Sequence, residues 1–329
     1  MSKRILAADI GGTHSRFAVF KAQEPNELRM LHKESLNTPE ASSLGELLDQ
    51  LAAMDFPLSP RTADYTVIAL AGPVRDGKIV ESLANIKWSV DLTDPAQDPG
   101  TKDILLINDF MAQAYACRSG AVADAKQIMA GTKDPKGALA VVGAGTGLGK
   151  CALIPLTPEG GGYAAAPSEG GHALFPLDME TGDEDAEFAE FIRRETGRRH
   201  VVNDQVVSGS GLRLLHRRLT GEDLPPAEIA AKLAPGDETL TRFARYYGRV
   251  CRQYALEVLA LGGLVVTGGV AARSPILVRD PAFGAEFRDS ETHGRLLANI
   301  PVRLNRDQDA GLWGAAELGK NILKQGSRA

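Results

Sequence analysis

The fold of this chain is decided by the stretch Ala8-Asp9-Ile10-Gly11-Gly12-Thr13-His14-Ser15-Arg16. One apolar run ends just before Asp9, and a second, Phe17-Ala18-Val19-Phe20, begins directly after Arg16. This pattern predicts a strand, a tight turn and a second strand. The glycines leave backbone N–H groups bare, so a phosphate oxygen can approach them closely. Thr13 adds a hydroxyl donor, and Asp9 supplies a carboxylate of the kind that hydrated divalent cations bind. The hairpin therefore predicts a nucleoside triphosphate and Mg²⁺ site; the alternative is an ordinary Gly-Gly turn.

Length and composition predict a soluble globular protein of two domains. The chain has 329 residues, of which 43% are hydrophobic and 24% charged, enough to bury a sizeable core. Its net charge of −5, with the acids spread along the chain, argues against nucleic acid or an anionic membrane as a partner. Basic clusters such as Arg193-Arg194 are expected to form a solvated helix end.

Cysteine usage indicates a reducing compartment. Cys117, Cys151 and Cys251 form no Cys-x-x-Cys pair, so neither a disulfide framework nor a structural zinc knuckle is expected. No apolar signal core stands before Arg4, and the longest apolar stretch, 258–272, is too short to span a bilayer. We therefore expect a cytoplasmic protein without a membrane partner.

A second place where chemistry is expected is the end of a buried strand. Ile104-Leu105-Leu106-Ile107 is a continuous apolar run, typical of a strand covered on both faces, and Asn108-Asp109 follow it directly. Polar residues at the carboxyl end of such a strand are where α/β proteins place ligands. The alternative is that Asn108 and Asp109 only cap a helix predicted for 110–117.

The glycine-rich loop at 143–149, Gly-Ala-Gly-Thr-Gly-Leu-Gly, lies between two further apolar runs and follows the plan of the opening hairpin. It suggests an internal duplication in which each half donates one phosphate-binding hairpin. A dinucleotide fingerprint fails because Leu148 stands at the sixth position from Gly143. A Walker A loop fails because Lys150 is followed by Cys151.

Periodicity and turn signals predict the other elements. The Asp76-Gly77 pair predicts a hairpin turn. Leucines at helical spacing predict a helix over 44–51, and further helices are predicted over 183–195, 209–219, 226–233, 237–260 and 309–323. Strands are predicted over 66–71, 263–267 and 301–305.

In these residues the sequence resembles bacterial glucokinases of the non-zinc type, within the hexokinase/actin/Hsp70 ATPase superfamily. The resemblance runs nearly end to end. Its motifs, in order, are Asp9-Ile10-Gly11-Gly12-Thr13-His14-Ser15-Arg16, Ile107-Asn108-Asp109-Phe110, Gly143-Ala144-Gly145-Thr146-Gly147-Leu148-Gly149, Ser168-Glu169-Gly170-Gly171-His172, Ser208-Gly209-Ser210-Gly211-Leu212 and Gly268-Gly269-Val270. Each alone is weak, but six in order at the family's separations are highly specific. The related zinc-carrying repressor/kinase family has a cysteine cluster. No such cluster accompanies His172 in this sequence, so a zinc role for His172 is not expected.

The resemblance implies an α/β architecture, the two-domain actin-like ATPase (ribonuclease H-like) fold with a ligand cleft between the domains. The small domain would comprise residues 1–110 and 310–329, and the large domain residues 111–309. ATP would lie across the two hairpins, and closure would exclude water from the transferred phosphoryl group. A homodimer is also implied.

The implied activity is ATP-dependent phosphorylation of D-glucose at the 6-hydroxyl. Asp109 would be the catalytic base, because an alcohol proton needs a positioned acceptor late in the transition state. The sugar-binding residues would be Asn85, Asn108, Asp109, Glu169, His172 and Asp204. ATP would be bound by Ala8, Asp9, Ile10, Gly11, Gly12, Thr13, Gly145, Thr146, Gly147, Gly268 and Gly269, with Asp9 holding Mg²⁺ through water. Without the resemblance, Glu169 and His172 would be interpreted as polar residues of a surface loop.

One departure from the family pattern affects the expected substrate. The family usually has a glutamate four residues before the Ser-Gly-x-Gly-Leu stretch, and here that residue is Asp204, which is one methylene shorter. This keeps open a kinase for another hexose or an amino sugar. A non-catalytic sugar sensor is a further alternative, but such regulators commonly carry a DNA-binding segment ahead of the first strand, and only three residues precede Arg4. The failed fingerprint counts against an oxidoreductase.

Overall fold

The computed structural model describes residues 2–23, 27–100, 103–157, 162–178 and 183–326. Contacts divide the chain into two compact units: residues up to Ala123 together with those from Asp309 onward, and Asp124–Gln308. The first unit extends to Ala123, beyond the residue 110 expected from sequence, because the helix that starts at Asp109 packs against the C-terminal helix.

Strands and helices occur in both units. The strands are β1 (Lys3–Ile10), β2 (His14–Gln23), β3 (Glu27–Asn37), β4 (Tyr65–Leu70), β5 (Ile79–Val80), β6 (Val90–Asp91), β7 (Ile104–Asn108), β8 (Lys126–Met129), β9 (Leu139–Ala144), β10 (Leu148–Pro155), β11 (Tyr163–Ser168), β12 (Gly263–Thr267) and β13 (Val302–Leu304). The helices are α1 (Leu44–Ala53), α2 (Asp109–Ala116), α3 (Asp183–Thr196), α4 (Asn203–Val206), α5 (Gly209–Thr220), α6 (Pro226–Lys232), α7 (Glu238–Glu257), α8 (Gly269–Arg273), α9 (Ile276–Arg279), α10 (Pro281–Arg288), α11 (Gly294–Asn299) and α12 (Ala310–Gly326). Short 3₁₀ turns lie at Thr38–Glu40, Gly120–Val122 and Gly170–His172.

The first unit is built on a five-stranded sheet with the order β3-β2-β1-β4-β7. β1 pairs antiparallel with β2 and parallel with β4, which in turn pairs parallel with β7. Both faces are covered, because Ile5 and Ala7 of β1 pack in the core that contains α12, whereas Ala8 and Ile10 pack in the core that contains α1. This double burial explains why the middle of β1 is continuously apolar instead of alternating.

The second unit is built on a six-stranded sheet with the order β11-β10-β9-β12-β13-β8. The long helix α7 supplies much of its core, including the fully buried Phe243, Tyr247 and Val250. Asp237 starts this helix by accepting hydrogen bonds from the backbone N–H groups of its first turn, at 2.8 and 3.3 Å.

Most of the predicted elements are confirmed, with ends that differ by a few residues. The strand at 263–267 needs no correction, and the Asp76-Gly77 turn has both residues at positive φ, 55° and 66°, as a type I′ turn requires. The helix predicted to run to 260 ends earlier, at Glu257, because Leu259 adopts a φ of 46° that a helix cannot continue through. None of the helices in the described ranges is both long and apolar enough to cross a bilayer.

Candidate active site

The first hairpin is fixed by a 3₁₀ turn that the sequence analysis missed. The hairpin closes with Gly11 N donating to His14 O at 3.0 Å. Thr38, which is buried, donates its hydroxyl to Gly11 O at 2.7 Å and its backbone N–H to Thr13 O at 3.1 Å. The tip is thereby held in place while Gly12 remains half-buried and Thr13 exposed. No local signal marks Thr38, because β3 has to return the chain to the hairpin before the contact exists.

Asp9 lies at the base of this hairpin, against the first turn of α12. A Cβ placed on Gly311 would lie 2.5 Å from Asp9 Oδ2, so glycine leaves the room that the carboxylate occupies. Arg16 Nη1 lies 3.8 Å from the same oxygen. Burial raises the pKa of the Asp9 carboxyl above its usual value; Arg16 opposes this rise, and Asp309 adds to it.

The Asp9 carboxylate fits the magnesium ion that the sequence predicts. Mg²⁺ keeps several waters and is commonly held by one or two carboxylates together with phosphate oxygens, so it does not need a cage of protein ligands. A poorly solvated carboxylate beside a phosphate-type hairpin meets that requirement. Within the ranges that the structure describes, no three His, Cys, Asp or Glu side chains gather into a group that could hold a metal ion.

Asn108 and Asp109 lie at the same sheet edge as the first hairpin. Ile10 of β1 and Asn108 of β7 both pair with Leu70, from opposite sides of β4. Two strand spacings, roughly 10 Å, therefore separate the end of β1 from the end of β7. Because β1, β4 and β7 are parallel, their carboxyl ends share this edge.

The helix-capping alternative for this pair is confirmed for Asn108. Its Oδ1 accepts a hydrogen bond from Phe110 N at 2.9 Å, and its Nδ2 donates to Gly72 O at 3.2 Å. The helix begins at Asp109, one residue earlier than predicted, and Asp109 Oδ1 also accepts from Phe110 N, at 3.0 Å. This hydrogen bond does not exclude a catalytic role for Asp109, because a carboxylate has two oxygens with several acceptor sites.

Asn85 contacts the first hairpin from a tight turn. It adopts a φ of 62°, a left-handed conformation that asparagine tolerates better than most residues. A Cβ on Gly12 would lie 2.7 Å from the Cβ of Asn85, so the two backbones approach closely. Ala84 N donates to Ala71 O at 2.8 Å, which holds this turn beside the end of β4.

The second hairpin, between β9 and β10, is closed and supported in the same way within its own unit. Gly145 N donates to Gly147 O at 2.7 Å. Gly145 O in turn accepts from Gly209 N at 2.9 Å, at the start of α5. Thr146, at the tip, is exposed. The interpretation of 138–155 as a strand, a glycine-rich turn and a second strand is thus confirmed.

Gly268 and Gly269 lie next to this second hairpin. Thr267 pairs with Gly143 across β12 and β9, and a Cβ on Gly268 would lie 2.5 Å from Ala144 O. Gly268 also has a φ of 86°, so both its conformation and its surroundings require glycine. Tyr247, which the sequence analysis missed, accepts a hydrogen bond from Ala144 N at 3.1 Å through its buried hydroxyl.

Glu169 and His172 are exposed side chains at the two ends of a short loop. His172 Nε2 lies 3.9 Å from Glu169 Oε2. The 3₁₀ turn Gly170–His172 places Gly171 so tightly against the carbonyl oxygen of Leu148 that no Cβ would fit. The loop is thereby fixed to the first residue of β10, directly after the second hairpin.

Asp204 is half-buried and lies beside both features. A Cβ on Gly147 would lie 3.2 Å from Asp204 Oδ2, so the carboxylate borders the second hairpin. Burial raises the pKa of Asp204, and the nearby His172 and Arg198 oppose that rise. Asp204 therefore belongs to the same group as the Glu169–His172 loop.

The structure groups the predicted residues within each unit. In the first unit these are Ala8, Asp9, Ile10, Gly11, Gly12, Thr13, Asn85, Asn108 and Asp109. In the second unit they are Gly145, Thr146, Gly147, Glu169, His172, Asp204, Gly268 and Gly269. Ala8 and Ile10 are fully buried and pair with β2 on one side and β4 on the other, so they support the hairpin from within the sheet.

The chain is similar to known proteins over nearly its whole length. The family model described as Glucokinase matches residues 6–322. A glucokinase from Agrobacterium fabrum (strain C58 / ATCC 33970) is 31% identical, over 96% of this chain and 92% of that protein. A solved glucokinase from an Antarctic psychrotroph has a TM-score of 0.79 and 29% identity, covering 97% of this chain and 99% of the other.

The fold extends to more distant kinases. A ROK family glucokinase from Streptomyces griseus, solved in complex with glucose and AMPPNP, has a TM-score of 0.60 at 20% identity, covering 97% of this chain and 99% of the other. At that identity the likeness concerns the fold alone. Together with the psychrotroph structure, it confirms the predicted two-domain actin-like ATPase fold.

Proposed function

We propose that this chain, which belongs to the glucokinase family and is a phosphotransferase, moves the γ-phosphoryl group of ATP to the 6-hydroxyl of D-glucose. The observation that supports the proposal most is the register of the first sheet: β7, which Asp109 follows, and β1, which leads into the first hairpin, lie on either side of β4 and end at the same edge. A proton acceptor and a phosphate-type turn at one edge are what phosphoryl transfer to an alcohol requires.

Asp109 acts as the base in this proposal. It accepts the proton of the 6-hydroxyl while the sugar oxygen forms its bond to the γ-phosphorus and the bond to the leaving ADP oxygen breaks. Its place in the first turn of α2 supports this role, because a helix N-terminus stabilises negative charge. Asn108 and Asn85 orient the neighbouring hydroxyls.

ATP is the proposed phosphoryl donor, as expected for a member of a kinase family. Backbone N–H groups at the hairpin tips, Gly12–Thr13 and Thr146–Gly147, are the proposed phosphate donors, because those of Gly11 and Gly145 already close the hairpins. Gly268-Gly269 are proposed to lie near the adenosine. The close packing of Gly268 on Ala144 supports this assignment, because it joins the second hairpin and the glycine pair into one surface. The AMPPNP bound to the Streptomyces griseus kinase supports it as well.

Asp9 is the proposed magnesium ligand, acting through water. When bound, Mg²⁺ would neutralise part of the charge on the transferring phosphates. The protein's own contribution is a single carboxylate held at the base of the hairpin, with Gly311 leaving room for it and Arg16 favouring its charged form.

In the second unit Glu169, His172 and Asp204 are proposed to hydrogen-bond the sugar hydroxyls. A carboxylate accepts and an imidazole can donate or accept, which suits vicinal hydroxyls. The names of the curated relatives support glucose. A kinase for another hexose or an amino sugar is the second candidate. Asp204 favours this candidate because its side chain is one methylene shorter than the family's usual glutamate and leaves more room beside the sugar.

We also propose that the protein is a cytoplasmic homodimer. The family resemblance supports the dimer, and Cys117, Cys151 and Cys251, none of which forms a disulfide, fit a reducing compartment. Light scattering after size-exclusion chromatography measures the oligomeric state directly.

A substrate panel tests the proposed function. Purified protein with Mg-ATP is given glucose, mannose, fructose, glucosamine or N-acetylglucosamine, and ADP release is followed by a coupled assay. Phosphorus NMR then identifies the product. Glucose 6-phosphate as the preferred product supports the proposal, and preference for an amino sugar would replace glucose with the second candidate.

A further inference from the structure

We propose that Asn203 is a positioning residue that fixes the Glu169–His172 loop in the shape that binds sugar. No motif of the sequence includes Asn203. The inference deepens the proposed function and rests on it for the identity of the ligand, whereas the hydrogen bonds on which it is built do not depend on any ligand.

Asn203 contacts the loop at two points. Its side chain is 2% exposed, and Nδ2 donates to Gly170 O at 2.9 Å. Its backbone N–H donates to Ala173 O at 3.0 Å. These two acceptors lie on either side of His172 in the chain, so one residue fixes the loop before and after the imidazole.

The same residue connects the loop to the other proposed sugar ligand. Asn203 is the first residue of α4 and Asp204 is the second, and Val207 N donates to Asn203 O at 2.8 Å. A shift of Asn203 would therefore change the spacing between His172 and the Asp204 carboxylate. That spacing decides which hydroxyls of a sugar the two side chains can reach together.

Folding stability does not explain an amide at this position. Asn203 Oδ1 is buried and has no hydrogen-bond partner among the described residues. Leaving a buried acceptor unpaired costs at least as much free energy as one ordinary hydrogen bond contributes, so the amide as a whole brings little net stability. What the amide does supply is a donor aimed at Gly170 O, and this points to the loop as the reason for its presence.

Gln205 provides a matched control two residues along. It is 6% exposed, lies in the same short helix and accepts a hydrogen bond from Val202 N at 3.0 Å through Oε1. Its side chain thus supports the start of α4 without a hydrogen bond to the Glu169–His172 loop. Truncating Gln205 weakens the helix; truncating Asn203 removes the side-chain bond to the loop.

The experiment compares the full-length wild type with Asn203→Ala, Asn203→Asp and Gln205→Ala. Steady-state kinetics yield kcat and the KM values for glucose and ATP, and hydrogen exchange measures the protection of the amides from Glu169 to Ala173. For Asn203→Ala we expect the KM for glucose to rise roughly tenfold, the effect of one lost hydrogen bond, with kcat and the KM for ATP within about twofold. The isosteric Asn203→Asp should raise the KM for glucose at least as much, because a carboxylate oxygen then faces the carbonyl oxygen of Gly170 and two acceptors repel each other.

In Gln205→Ala the KM for glucose and the loop protection should stay near the wild-type values. The inference is overturned if Asn203→Ala leaves loop exchange unchanged, or if Gln205→Ala raises the KM for glucose equally. The proposed function fails in a different way, by absence of glucose turnover in the wild type. In that case, hydrogen exchange of the loop amides in the wild type and the variants still decides whether Asn203 fixes the loop.

Discussion

Asp9 and Gly311 are packed against each other, so a residue near the start of the chain depends on a glycine near its end. A Cβ on Gly311 would lie 2.5 Å from Asp9 Oδ2 and 2.7 Å from its Cγ. Asp9, the proposed magnesium ligand, therefore packs directly against the first turn of α12. This contact also accounts for a glycine within the first turn of a helix, where it weakens helix propensity.

The first prediction concerns that contact. Gly311→Ala should displace the Asp9 carboxylate and raise the KM for Mg-ATP by roughly tenfold, because an added methyl in a filled space forces neighbours to move. Gly45→Ala in α1 is the control, since its Cβ would meet only Ser43 Oγ, at an ordinary 3.7 Å. Steady-state kinetics measure both variants. An unchanged KM for Mg-ATP in Gly311→Ala would show that the position of Asp9 is unimportant.

The second prediction follows from the raised pKa of Asp9. A carboxyl whose pKa is higher in the folded than in the unfolded chain holds its proton more tightly when folded, so its ionisation lowers stability as pH rises through the folded pKa. Asp9→Asn should therefore have a higher thermal unfolding midpoint than the wild type at pH 7 while losing ATP-dependent activity. The difference should shrink as pH falls toward 3.8, the usual pKa of an aspartate.

Thermal unfolding of both proteins across a pH series is the measurement. An asparagine variant less stable than the wild type at neutral pH would mean that the attraction between Arg16 and Asp9 outweighs burial. Ionised Asp9 would then stabilise the folded chain instead of destabilising it.

The sequence predicted the backbone of the site better than the contacts around it. A Gly-Gly turn and a strand buried on both faces have local signatures, so the first hairpin and the end of β7 at Asn108 could be found from sequence alone. The contact between Gly12 and Asn85 could not, because it joins positions far apart in the chain through a left-handed turn.

Two further misses have physical reasons. β11 contains three consecutive alanines, which carry little strand propensity, and pairing with β10 is what makes this segment a strand. Asn203 resembles any polar residue at a helix start, and its bond to Gly170 depends on where an unrelated loop folds back. Tertiary contacts of this kind leave no periodic signal in a sequence.

The third prediction addresses the residue that departs from the family pattern. Asp204→Ala should raise the KM for glucose by roughly 10- to 100-fold, the usual cost of losing a hydrogen bond to a charged group. Asp204→Glu restores the length found in the family, and we expect it to lower the KM for glucose relative to that for mannose. The sugar panel run on the three proteins measures this. Equal KM values in wild type and Asp204→Ala would remove Asp204 from the sugar site.

The fourth prediction concerns a buried charge network in the second unit. Arg249 is 1% exposed, and its guanidinium donates to the carboxylates of Asp185 and Glu286 and to Pro176 O. Its charge holds the pKa of Asp185 below the usual value against the effect of burial, so this pair contributes stability at neutral pH that is lost on acidification.

Arg249→Met should therefore lower the free energy of unfolding by about 3–5 kcal/mol, because it leaves the buried Asp185 without its cation and Glu286 with Arg252 alone, 3.4 Å away. Arg213→Met is the control, since Arg213 pairs with Asp223 on the surface and its loss should change stability little. Urea unfolding followed by circular dichroism compares the two. Similar losses of unfolding free energy in both variants would show that the buried network contributes no more to stability than the surface pair.

Asp109→Asn tests the central claim most directly, because it keeps the size of the side chain and a cap acceptor at the start of α2 while removing the base. The measurement is kcat for glucose 6-phosphate formation with saturating Mg-ATP and glucose, with the thermal unfolding midpoint as the control for folding. We predict a loss of roughly 10²- to 10⁴-fold in kcat at an unchanged midpoint. Turnover within a few-fold of the wild type would contradict the assignment of Asp109 as the base.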